Sequence, residues 1–130
     1  MSPRADGLEV QQLVNQYVPA TRALIAAARR AMKAAFPKVL ETADAKAKLI
    51  AYSYGRGYKG VVATLILSRT ELKIGIPFGA TLADPTGILK GAGKVHRHVR
   101  VASLSDLERP DLSELLKANL SAWRRRSNVA

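Results

Sequence analysis

A chain of 130 residues that is 48% hydrophobic holds apolar material for one core, so one domain spanning residues 1–130 is expected. No apolar run reaches the roughly 20 residues that cross a bilayer, and the polar start MSPRADGLEVQQ lacks the apolar region of a secretory signal. With no cysteine, disulfides, thiolate metal sites and cysteine nucleophiles are excluded, so a cytoplasmic protein without a membrane partner is expected.

Leu8 to Tyr17 reads as a short helix with Leu13, Val14, Tyr17 and Val18 toward the core. Pro19 either interrupts it or begins the next helix, since proline is accepted in a first turn. Thr21 to Phe36 has a strong helical period. Leu24, Ala28, Ala31, Met32 and Ala35 form one stripe, with Arg22, Arg29, Arg30 and Lys33 opposite. Pro37 ends this helix by disfavouring helical geometry in the residue before it.

After a polar bridge, ETADAKAK, the apolar period changes to two. Leu49–Tyr54, Val61–Ser68 and Glu71–Phe78 read as three strands joined by short turns, which makes the sheet antiparallel. A long connection from Gly79 to Lys94 follows, with a turn at Asp84-Pro85-Thr86-Gly87. Val95–Ala102 is the fourth strand. Pro110 opens a last helix whose stripe is Leu112, Leu115, Leu116, Leu120 and Trp123. Strands grouped between helices predict an α+β fold. Its antiparallel sheet has four strands or slightly more, with the N-terminal and C-terminal helices packed on one face.

Three stretches resemble the YdhG-like family, a bacterial domain of unknown function. Tyr54-Gly55-Arg56-Gly57-Tyr58-Lys59 is similar to the family's Tyr-Gly-x-Pro-x-Tyr/Phe-Lys turn, with Gly57 in the place of the proline. Lys73-Ile74-Gly75-Ile76-Pro77-Phe78 is similar to its short apolar third strand. Leu89-Lys90-Gly91-Ala92-Gly93-Lys94, leading into Arg97-His98-Val99, is similar to its Gly-x-Gly-Lys and Arg-His-Val run. The resemblance covers the chain from Ile50 to the last helix and implies an α+β fold. Some relatives have been proposed as frataxin-like iron chaperones. That role favours oxygen ligands, whereas this chain has ten acids against 21 bases, and Lys48 stands where the family often has an acid.

The formal charge of +11 on 14.0 kDa describes a solvated basic surface first. Attraction to nucleic acid, phosphorylated metabolites or acidic proteins comes second. Between Asp84 and Asp106 there is no acid, while Lys90, Lys94, Arg97 and Arg100 all occur. Glycines at 87, 91 and 93 allow a tight turn, and they also let backbone N–H groups approach an anion. A nucleotide-binding P-loop is excluded, because Ile88 and Val95 occupy positions that need Gly and Ser or Thr.

His96, His98 and Arg100 fall on one strand face, but two histidines without a third ligand do not make a metal site. Arg97 shares the face of Val95, Val99 and Val101, so it should pair with Asp84, Glu71 or Asp106, or meet an anion at the sheet edge. Tyr52, Tyr54 and Tyr58 gather beside Arg56 and Lys59, where stacking on single-stranded bases competes with plain packing. No nucleophile–base pattern or carboxylate pair stands out, which points away from an enzyme.

The preferred expectation is therefore a small binding or accessory domain without cofactor or metal. Its site for a small anion or acidic partner would comprise Tyr54, Lys90, Gly91, Gly93, Lys94, Arg97 and His98. Nonspecific nucleic-acid binding through the second helix and the Arg124–Arg126 tail is one alternative. Iron delivery by family analogy and an unrecognised enzyme are the others.

Overall fold

The computed structural model describes residues 3–129, and the side chains of residues 3–6, 58, 128 and 129 lie outside that description. The chain is α+β. Helices α1 (Pro3–Val14) and α2 (Pro19–Ala35) precede β1 (Leu40–Asp44) and β2 (Leu49–Ser53). The one-turn helix α3 (Gly57–Gly60) leads to β3 (Val61–Leu67) and β4 (Leu72–Ile76). A 3-10 turn (Gly79–Thr81), β5 (Leu89–Lys90), β6 (Arg97–Val101), a short α4 (Leu104–Leu107) and α5 (Pro110–Val129) complete it.

Among the described residues the strands form one six-stranded sheet, ordered β1-β2-β3-β4-β6-β5, with every neighbouring pair antiparallel. Alternation divides its two faces. Ile50, Tyr52, Leu65, Ile74, Val99 and Val101 are buried and join Val10, Leu13, Ile25, Met32, Leu112 and Leu116 in one core. The intervening residues Ile66, Lys73 and Arg100 are exposed. The helices thus cover one face and leave the other open.

Local chemistry sets the helix ends. Pro19 sits in the first turn of α2, after an extended Val18 that cannot remain helical before proline. Helix α1 stops at Val14, three residues short of the expected Tyr17, and the Gln16 and Tyr17 amides bond back to the carbonyls three residues earlier. Ser103 and Asp106 close a reciprocal capping box on α4. The stripe of α5 is buried through Leu120, but Trp123 is only half-buried.

The expected polar bridge is in fact β1 followed by a turn. Glu41, Tyr52 and the α2 stripe explain why. Glu41 lies directly opposite Tyr52 on the helix-covered face, where an apolar residue would ordinarily mark the period. The Arg29 guanidinium donates to both Glu41 oxygens, at 3.0 and 2.8 Å, Lys33 approaches to 3.2 Å, and the Tyr52 hydroxyl donates at 2.7 Å. A charge-neutralised carboxylate stands in for a hydrophobe. Arg29 and Lys33, expected on the solvent side of α2, are bound here instead.

Candidate functional site

One row of residues crosses the open face: Thr42, Ala51, Thr64, Gly75, His98 and Lys90 are successive partners from β1 to β5. Small side chains occupy its middle. At Gly75 a Cβ would collide with the Thr64 hydroxyl, so Thr64 leans over the glycine and the sheet surface stays low there. Around it lies an open groove of about 540 Å³, within the range of small-ligand sites.

The groove has two chemically distinct sides. Leu49, Ala51, Val61 and Ile66 make an apolar floor on β2 and β3. Gly91, Gly93, His96, Arg97 and His98 form the other wall. Lys73 and Arg100 are cross-strand partners on the same face, beyond Gly75 and His98. Burial lowers the pKa of His98, and the Lys73 charge lowers it further.

The loop wall is held from beneath. Ala80 N–H donates to the Val95 carbonyl at 2.9 Å. The backbone of Gly79 lies so close to Arg97 that a Cβ there would come within 2.5 Å of the arginine Cβ. Arg97 does not reach a carboxylate. Its Nη1 donates to the carbonyls of Gly93 and, at 2.8 Å, His96. The carboxylates offered to it in the sequence are engaged elsewhere. Glu71 pairs with Arg100 at 2.8 Å, Asp84 accepts the Ile88 and Leu89 amides, and Asp106 caps Ala102 and Ser103. Arg97→Ala should therefore release the loop. Faster amide hydrogen exchange at Gly91–Val95, with the β2–β4 amides unchanged, is the expected result.

Of the seven residues singled out in the sequence, the structure brings Gly91, Gly93, Arg97 and His98 together at the groove. Lys94 is exposed in the loop and does not line it. Lys90 lies by a separate polar cleft of about 350 Å³, with Thr86, Arg100, Asp106 and Arg109, and its Nζ donates to the Gly87 carbonyl at 3.0 Å. Arg109 in that cleft is bound to Asp111 at 2.6 Å, so little free positive charge converges there. Tyr54 continues the helix-side alternation of Ile50 and Tyr52, on the far side of the sheet, and packs against Trp123. The Tyr58 side chain lies outside the described residues.

Sequence reasoning missed the floor. Thr64 and Ile66 read simply as strand residues, and Gly75 as part of an apolar strand. A glycine between two isoleucines in a central strand was the available signal, since it marks a close approach or an opening.

Among the described residues, no group of three or more His, Asp or Glu side chains comes together as a metal site. No described helix is long and apolar enough to cross a membrane. No protein-family model, no curated protein and no solved structure matches the chain.

Proposed function

We propose that this protein is a small-molecule-binding domain whose ligand, an anion with an apolar body, lies in the open-face groove beneath the Gly91–Gly93 loop. The observation that carries this reading is the groove over Thr64 and Gly75, with apolar Ala51 and Ile66 on one side and His98 under a glycine loop on the other. An apolar body covers the exposed Ile66, while the anionic end faces His98, Lys73 and loop backbone amides. The open face offers no Phe, Tyr or Trp on its strands, which disfavours a base-stacking platform there. The cysteine-free basic composition supports a cytoplasmic setting, and membership of the bacterial YdhG-like family is proposed on the three motifs alone.

Chemical-shift mapping with octanoate, octanol and inorganic phosphate tests this. Octanoate should perturb Thr64, Gly75, Gly91, Gly93 and His98, and should bind more tightly than either control. Raising the salt should weaken it as exposed charges are screened. Ile66→Glu, at a side chain already 37% exposed, should abolish octanoate binding without unfolding the protein. Octanoate shifts confined to other surfaces, or retained in Ile66→Glu, would overturn the assignment.

A further inference from the structure

A second surface, independent of the groove, is built around Tyr54 and Trp123 on the other side of the sheet. Their rings pack at 5.2 Å between centroids with a 41° tilt. The Tyr54 hydroxyl donates to the Pro37 carbonyl at 2.8 Å, and Trp123 Nε1 donates to the Lys59 carbonyl at 3.3 Å. The Tyr54 N–H donates to the Gly60 carbonyl at 2.9 Å. These contacts draw together the end of α2, the turn after β2, α3 and the last turns of α5.

Each of those segments contributes an exposed cation: Lys38, Arg56, Lys59 and Arg124. Arg124 is close enough to Tyr54 for its charge to oppose the upward pull of burial on the phenol. Among the described residues, none of the four forms an ion pair, in contrast to Arg29, Lys33, Arg100 and Arg109. The sequence has no Asp or Glu from Ala45 to Thr70, and none after Glu114. Unpaired charges on a shared rigid base repel one another, and a polyanion relieves that repulsion. The α2 stripe, by comparison, is partly neutralised by Glu41.

We propose that this surface binds single-stranded nucleic acid through its phosphate backbone, without sequence preference. The polar atoms of both aromatics are already hydrogen-bonded to the chain itself, so they are not available to read base edges. Their half-exposed rings remain available for a base to lean on, which favours a single strand over a duplex.

Fluorescence anisotropy with a labelled mixed-sequence oligonucleotide of about 20 nucleotides tests the proposal. Contact with three or four phosphates predicts a slope of log affinity against log salt of about −2 to −3. Lys59→Ala with Arg124→Ala should lower affinity on the order of tenfold at moderate salt. Arg30→Ala with Lys46→Ala removes the same charge elsewhere and should have a much smaller effect. The fluorescence of the only tryptophan, Trp123, should change on binding. Equal losses in the two double variants would show that net charge alone acts, and would overturn the proposal. Equal or tighter binding of a duplex of the same length would overturn the single-strand assignment. Octanoate should not compete, so failure of the groove reading leaves this result intact.

Discussion

Glu41→Ala is expected to destabilise the protein by about 3 kcal/mol, because it strips a nearly buried ion network of its only acid. The Glu41 side chain is 8% exposed and that of Arg29 is 19%, so removing the carboxylate leaves a poorly hydrated guanidinium unpaired. The Tyr52 hydroxyl, on a fully buried residue, loses its acceptor as well. Tyr52→Phe removes one hydrogen bond only and should cost about 1 kcal/mol. Urea unfolding of both variants decides whether the network clamps α2 to β1 and β2 or merely accompanies their packing.

The same network predicts an acid limb. Burial pushes the Glu41 carboxyl up, but hydrogen bonds from Arg29 and Tyr52, with the charges of Arg29 and Lys33, outweigh it. Its folded pKa is therefore depressed. The resulting stability is fully present above the ordinary glutamate value of about 4.3 and is lost as pH falls through the folded value. Glu41→Gln should be less stable than the wild type at neutral pH, and the gap should close in acid. A constant gap down to pH 2 would show that shape, not ionisation, is what Glu41 contributes.

Glu41 also shows where the sequence stops being legible. The apolar periods of α2, β3, β4 and α5 identify the core elements, because nearly all buried positions there are hydrophobes, Thr21, Gly75 and Asn119 being the exceptions. In β1 the nearly buried partner of Tyr52 is an acid, and its neutralising arginine lies 12 residues away on another element. Local periodicity carries no trace of that pairing. Strand β5 escapes for a different reason: its two residues are too few to show a period. The groove was legible only on one side. The glycine loop and His98 are conspicuous in the sequence, but the floor arises from the register that sets Ala51, Thr64, Gly75 and His98 in line. Register is a property of strand pairing, not of any one strand. Arg97 was legible as an anomaly on an apolar face, yet its partners are backbone carbonyls, which have no residue code.

Gly60→Ala is the second large effect, expected at about 3 kcal/mol because its clash is with main chain. Gly60 is buried at the end of α3, and its carbonyl accepts the Tyr54 N–H. A Cβ there would stand 2.5 Å from the Gly55 carbonyl carbon and 2.8 Å from the Gly55 Cα. No side-chain rotation relieves contacts of that kind, so the turn from Gly55 to Gly60 must open. The neighbouring glycines supply internal controls. A Cβ on Gly55 meets nothing closer than 3.9 Å, so Gly55→Ala should be nearly neutral. Gly57 has open space but a φ of +71°, so Gly57→Ala should cost about 1 kcal/mol of backbone strain. That φ also excludes the proline found at this position in the turn that the sequence resembles, because proline holds φ near −65°. Thermal unfolding should rank the variants Gly60→Ala, Gly57→Ala, Gly55→Ala in decreasing damage, with the first lowering Tm by roughly 10 °C. Because the opened turn frees the Lys59 carbonyl from Trp123, Gly60→Ala should also perturb tryptophan fluorescence in the folded state, whereas Gly55→Ala should not. An unchanged Tm in Gly60→Ala would mean that the Gly55–Gly60 turn is not closed as described.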